Sequence, residues 1–198
     1  NQGHAFMACI SFDKLGAFNY WAQGAIRNSI LLRRSLDGGK TWEPEVRTVI
    51  AQPTRPGIPF EDKPYLVADT SKQSRFAGNL YIGWTRWTIA DSQMLFTRST
   101  DDGLTWSTPI ELSAQHGLPR DDKGALEGFD GAVAPDGTLY AVWALNDHIV
   151  MVESHDGGKT FSKTRNIVWT APTMFAIAGM DRANGFPQIA IDPRGGKK

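Results

Sequence analysis

The chain is short of cysteine, of histidine and of net charge, and each shortage closes off a class of function. Its one cysteine, Cys9, rules out an internal disulfide framework. Lying in the apolar run Ala5 to Phe12, it is expected to be a buried, inert thiol. Four histidines (His4, His116, His148, His155) are scattered without zinc-ligand spacing, so no metal site is expected. Lys plus Arg and Asp plus Glu stand at 21 each, so no global field draws the chain to nucleic acid or to an anionic membrane. No run approaches the ~20 apolar residues of a membrane span, and the residues after Asn1 lack the basic and apolar regions of a secretory leader. Localisation is not written in these residues. A phosphate-binding glycine loop and a Gly-x-Ser-x-Gly elbow are both missing, and no cofactor is expected.

What is present is turn chemistry and aromatic rings. Among 198 residues there are 20 Gly, 11 Pro and 7 Trp, a balance that favours an all-β chain. No run shows helical spacing over a useful length. One signature occurs three times: Ser35-Leu36-Asp37-Gly38-Gly39-Lys40-Thr41-Trp42, Ser99-Thr100-Asp101-Asp102-Gly103-Leu104-Thr105-Trp106 and Ser154-His155-Asp156-Gly157-Gly158-Lys159-Thr160-Phe161. The aspartates are 64 and 55 residues apart. Each copy lies between two strand-like runs, and Leu80-Tyr81-Ile82-Gly83-Trp84 matches Leu139-Tyr140-Ala141-Val142-Trp143 ahead of the last two copies. A third repeat opens the unit at Pro64 to Asp69, Gly131 to Asp136 and Pro187 to Asp192.

A unit of four short strands and roughly 60 residues describes a propeller blade. A β-sandwich would not need the same turn chemistry at the same point of every unit. Residues 1–50 then form an incomplete blade, 60–113 and 128–168 complete blades, and 185–198 the first strand of another. About three blades of four-stranded antiparallel sheet are too few to close a ring, so the rest of a longer chain, or a second copy, is expected to complete it.

Each repeated box reads as a self-supporting turn. The aspartate can accept from backbone N–H groups and from the Ser and Thr hydroxyls of its own loop. The Gly supplies a positive φ. The closing Trp42, Trp106 or Phe161 is expected to be buried between neighbouring sheets. The alternating ligands and distal Glu of a calcium loop are missing, which favours a structural role over metal binding.

The three boxes resemble the Asp boxes, or BNR repeats, of sialidases and their relatives, which are six-bladed β-propellers. Leu31-Leu32-Arg33-Arg34-Ser35 leading into the first box is especially similar to the first box of true sialidases. The resemblance implies a propeller that acts on or binds glycans, is secreted or periplasmic, and works as an exo-glycosidase if the remaining blades carry the catalytic set. The same boxes occur in propellers that bind a protein or glycan without chemistry, or that serve in structure or assembly. By the same resemblance, a tyrosine nucleophile with a carboxylate partner, an Asp acid/base and three arginines are expected. The first arginine belongs to an upstream Arg-Ile-Pro motif that this chain does not contain. The acid/base belongs to the loop Phe12 to Asn28, which offers only Asp13, beside Tyr20, Trp21, Gln23 and Arg27. The nucleophile, its partner and the other arginines are expected in blades beyond Lys198.

Strand order puts the boxes on one face and the longer connectors on the other. The connector face is the expected ligand face, with Arg27, Arg86, Trp87, Glu127 and Arg182 as its binding residues. The carboxylates available as catalytic candidates are Asp13, Glu61, Asp62 and Asp130. Aromatic rings beside carboxylates and Arg suit a sugar, whose C–H faces stack while its hydroxyls take charged hydrogen bonds. This chain alone is expected not to hydrolyse sialosides.

Overall fold

The computed structural model describes residues 3–12, 28–50, 59–119, 124–170, 178–179 and 185–194. Apolar runs bounded by Gly, Pro and Asp turns become eleven strands among the described residues, with no helix. β1 (Ala5–Phe12), β2 (Asn28–Ser35) and β3 (Arg47–Ile50) form a first sheet in chain order. β4 (Phe60–Ala68), β5 (Leu80–Trp87), β6 (Ser92–Ser99) and β7 (Ile110–Glu111) form a second. β8 (Leu126–Val133), β9 (Leu139–Leu145), β10 (His148–Ser154) and β11 (Arg165–Trp169) form a third. All pairings are antiparallel between consecutive strands.

The sheets pack face to face, and alternation along a strand explains how. Ile82, Trp84 and Leu95 of the second sheet meet Ile30, Leu32 and Val49 of the first. On the opposite face, Tyr81, Met94 and Phe96 meet Phe129, Leu139, Trp143 and Val150 of the third. With both faces of the second sheet buried, β5 carries no polar residue from Leu80 to Trp84 other than the Tyr81 hydroxyl.

The boxes behave as their chemistry demands. In each, the Ser hydroxyl donates to the Asp carboxylate at 2.7 to 2.9 Å (Ser35–Asp37, Ser99–Asp101, Ser154–Asp156) and accepts the N–H of Gly39, Gly103 or Gly158. The backbone N–H and the hydroxyl of Thr41, Thr105 or Thr160 close the other side of the carboxylate. The three box glycines have φ of 90°, 76° and 76°, a region that Cβ resists. Chiefly through the Thr41 N–H, this lowers the Asp37 carboxyl pKa to about 2.

Two expectations need correction. The box aromatics are half-buried, not fully buried. Trp106 and Phe161 each lie on the face of their sheet that meets the preceding sheet. Trp106 therefore packs on the cluster between the first two sheets, and Phe161 sits edge-on to Phe96 at 4.9 Å between the second and third. Trp42 joins neither cluster, because neither packed interface includes its side of the first sheet. Cys9 is exposed for the same reason. Ala8 and Ile10 pair with Leu32 and Ile30 on the side of β1 that meets the second sheet, so Met7 and Cys9 point away from it.

The segment 185–192 makes no ladder among the described residues. Its Ile189 N–H donates to Asp130 Oδ2 at 2.9 Å, and its Phe186 ring lies against Gly128 and under Lys63.

Candidate functional site

Consecutive antiparallel strands place the boxes and the 69–79 turn at one end of the sheets. The turn at 88–91 and the first residues of β4 and β8 lie at the other end. That second end holds the candidate site. β4 and β8 begin earlier than the sequence repeats suggest, and both cross a bulge. Two residues are skipped between the pairs Asp62–Thr85 and Tyr65–Gly83, and two between Glu127–Ala144 and Asp130–Val142. Residues expected in loops are therefore fixed on strands. Both bulges place a residue at positive φ, and in the third sheet that residue is Gly128 (76°), which bears the conformation without strain. In the second sheet the same ladder position is Lys63, at φ 50°. A side chain in that region costs roughly 1–3 kcal/mol, so it calls for compensation from its surroundings.

Part of that compensation is electrostatic. Lys63 Nζ lies 3.0 Å from Glu127 Oε2, with the Glu127 side chain only 4 % exposed, and 4.6 Å from the centroid of the Phe186 ring. Across the other face of β4, Glu61 is 1 % exposed. Its Oε1 accepts from Arg86 Nε at 2.9 Å and Nη2 at 2.6 Å, and its Oε2 accepts from Trp84 Nε1 at 2.5 Å. The Asn28 carboxamide, from the first sheet, clamps the Glu61 backbone in both directions. Arg86 Nη1 keeps no hydrogen bond among the described residues, so it is open to an anion or a hydroxyl.

The remaining candidates divide by access. Asp62 is half-buried; its Oδ2 accepts from Trp87 Nε1 at 3.2 Å, and Oδ1 has no hydrogen bond among the described residues. Trp87 is fully buried, so its ring is packed inside and its role here is to orient Asp62. Asp130, 4 % exposed, accepts from the Gly131 and Ile189 N–H groups. It also takes the Tyr65 hydroxyl, whose pKa is raised first by the Asp130 charge and then by partial burial. Asp130 is thus committed to joining β4, β8 and 185–192. Asp13, Arg27 and Arg182 lie outside the described residues, as do Tyr20, Trp21 and Gln23.

The arrangement therefore brings together Glu61 with Arg86, Asp62 with Trp87, and Lys63 with Glu127. It does not put all of them on one side. Glu61 and Arg86 face the first sheet, whereas Asp62 lies on the opposite side of β4 and Glu127 reaches Lys63 from the third sheet. Sequence reasoning missed Asn28 and Trp84 as supports. Trp84 carried a signal, since it recurs as Trp143, but a repeated Trp reads as core. No residues of the described set form a His/Cys/Asp/Glu group suited to a metal ion. Among them, no helix is long and apolar enough to cross a membrane.

Comparisons with known proteins agree with this architecture. The BNR/Asp-box repeat family model matches residues 33–44, the first box. A sialidase of Bacteroides fragilis (strain YCH46) is 30 % identical over 172 residues, covering 76 % of this chain and 31 % of that protein. Among solved structures, the Hadza microbial sialidase Hz136 superposes with a TM-score of 0.59 at 20 % identity, covering 84 % of this chain and 35 % of that one. The intramolecular trans-sialidase from Ruminococcus gnavus gives 0.49 at 20 % identity, with 81 % and 35 % covered. The chain has the sialidase-like superfamily fold, a β-propeller built on BNR/Asp-box repeats. It spans about a third of the length of these relatives.

Proposed function

We propose that this chain forms part of a sialidase-type propeller that takes a glycan on the face opposite its Asp boxes, through Arg86, Asp62, Lys63 and Glu127. One observation carries the reading. Ladder registers make Glu61 equivalent to Leu126, and Arg86 equivalent to Leu145, around the shared Trp84 and Trp143. The blade therefore folds with two leucines where the second sheet keeps an acid and a base. The polar pair exceeds what the fold requires, and it lies on the connector face, where a ligand is expected.

The same geometry favours binding over chemistry in these residues. Glu61 and Asp130 spend their carboxylates on protein donors, and Asp62 is the candidate left with an open oxygen. In this reading, residues 1–198 belong to one propeller domain that further blades complete. Exo-glycosidase activity, if the whole protein has it, draws its nucleophile and remaining arginines from those blades. Extracellular or periplasmic placement belongs to the same proposal.

Two assays on this chain test it. Titration with methyl α-sialoside should saturate, and Asp62→Asn should weaken it roughly ten-fold, the worth of one charged hydrogen bond. Release of a fluorogenic leaving group from a sialoside should stay at background. Unchanged affinity in Asp62→Asn would remove Asp62 from the site. Turnover abolished by Asp13→Asn or Asp62→Asn would show that the chain is catalytic by itself.

A further inference from the structure

The turn between β9 and β10 holds an exposed tryptophan in a fixed attitude. Trp169, the last residue of β11, is 64 % exposed. Its indole N–H donates to Asp147 Oδ2 at 3.1 Å, and Asp147 Oδ1 lies 2.7 Å from His148 Nδ1. The Thr170 N–H donates to the Asp147 carbonyl at 2.7 Å, so the backbone beyond the ring is tied to the same turn. Asp147 is held below the usual carboxylate range, first by the His148 bond. It stays anionic at neutral pH.

A single exposed hydrophobic residue needs no explanation. A large ring whose one polar atom is satisfied by the protein, while its surface stays in water, is a different object. The hydrogen bond favours one orientation of the ring in the free protein, which lowers the cost of binding something flat and apolar against it. The second sheet repeats the device. Asp91, in the turn between β5 and β6, holds the ring of His116 from the segment leaving β7, with Oδ2 on Nδ1. Both turns lie at the same end of their sheets as Arg86 and Asp62.

We propose that Trp169, Asp147 and His148 form a carbohydrate subsite at the outer rim of this face, taking a pyranose that presents a contiguous C–H face, such as a β-galactoside. The sugar's C–H face lies on the indole. With His148 Nδ1 donating to Asp147, its Nε2 accepts a hydroxyl, and the second lone pairs of Asp147 accept others. A neutral pyranose fits better than a peptide, because an aromatic plate edged by an acceptor-rich pair matches a ring with hydroxyls around its rim. The subsite belongs to the third sheet and stands whether or not the Glu61–Arg86 face binds a sialoside.

Its test is a titration of the chain with methyl β-D-galactopyranoside, followed by the indole N–H resonances, with Trp169 assigned from its absence in Trp169→Ala. The Trp169 resonance should shift saturably while the buried Trp84, Trp87 and Trp143 stay still. Trp169→Ala should lose at least roughly ten-fold in affinity, the scale for truncating an aromatic anchor. Asp147→Ala, which releases the ring but keeps it, should weaken binding less. Glycerol at equal hydroxyl concentration should leave the resonance in place. No saturable shift, an equal response to glycerol, or parental affinity in Trp169→Ala would each overturn the proposal. So would a response that Asp62→Asn abolishes and Trp169→Ala leaves intact, since that locates the sugar at the inner site.

Discussion

The second and third sheets are two versions of one blade, and they differ most where the inner strand meets its neighbour. In the second, Trp84 Nε1 donates to a buried Glu61 that also holds Arg86. In the third, the equivalent positions are Leu126 and Leu145, and the indole nitrogen of the buried Trp143 has no hydrogen-bond partner among the described residues. The third sheet tolerates an orphaned indole donor and remains packed. The second uses the same indole to orient a carboxylate. The shared register of the two sheets thus separates what the blade needs, the tryptophan, from what one blade adds, the acid and base.

Breaking the second sheet's polar pair halfway should have the largest effect. Glu61→Leu leaves Arg86 charged against a buried apolar surface and returns the Trp84 N–H to the orphaned state of Trp143. Loss of one partner of a buried pair costs about 3–5 kcal/mol. Chemical denaturation of the single variant reads it directly. The box aromatics come next. Trp106→Ala should cost roughly 2–3 kcal/mol, below the full-burial range because the ring is half-exposed. Trp42→Ala should cost under about 1 kcal/mol, because Trp42 joins neither core cluster. Equal losses at the two positions would contradict the assigned packing.

Converting the second sheet's bulge to the third sheet's residue gives a smaller change of mixed sign. Lys63→Gly relieves a positive φ worth roughly 1–3 kcal/mol and strips the buried Glu127 carboxylate of its ion pair at a cost of the same order. Denaturant midpoints should therefore move little, while affinity for an anionic sugar falls. A large destabilisation would mean that the Lys63–Glu127 pair supports the fold more than the site.

The smallest expected effect is a pH dependence at the rim of the second sheet. His116 bridges Asp91 and Glu111, with Nδ1 on Asp91 Oδ2 and Nε2 2.6 Å from Glu111 Oε1. Burial pulls its pKa down, but the Asp91 hydrogen bond and the Glu111 and Asp91 charges outweigh it, so the net shift is upward. A raised folded pKa means that the bridge stabilises fully below about 6.5, the unfolded value, and is lost as pH rises through the folded value. Asp91 is shifted the other way: burial raises its pKa, but the Thr88, His116 and Gln93 bonds lower it on balance. Its contribution is present above about 4 and fades as pH falls further. The ring is over a third exposed, so solvent screening keeps the gain modest. Thermal melts from pH 5.5 to 8.5 should fall slightly in the parent and lie flatter in His116→Ala.

The boxes were legible in the sequence because their chemistry is local. Every bond that closes the Asp37, Asp101 and Asp156 turns spans four residues or fewer. The blade repeat and strand order followed from them. The candidate site was legible only as composition. Its pairings join residues 23, 25 and 64 positions apart, Trp84–Glu61, Arg86–Glu61 and Lys63–Glu127. The obstacle was the bulge. Lysine carries no signal for a left-handed backbone, so β4 seemed to begin at Pro64 and to leave Glu61 and Asp62 in a loop. Trp87 was misjudged for a related reason. An aromatic at a strand end reads as exposed, yet its N–H turns inward to Asp62. Cys9 reads as core from its apolar neighbours, and only the sheet's packing shows which side of β1 is covered.

The central claim is that the second sheet's acid and base serve the ligand and not the fold. Glu61→Leu combined with Arg86→Leu installs the third sheet's own pair in the second, and one variant then answers both halves. Melting and methyl α-sialoside binding should be measured together on parent and double variant. The account predicts a double variant within about 1 kcal/mol of the parent in stability, since a buried ion pair replaced by packed leucines is often neutral, with saturable sialoside binding gone. A double variant that unfolds as readily as Glu61→Leu alone, or that binds the sialoside as the parent does, would contradict it.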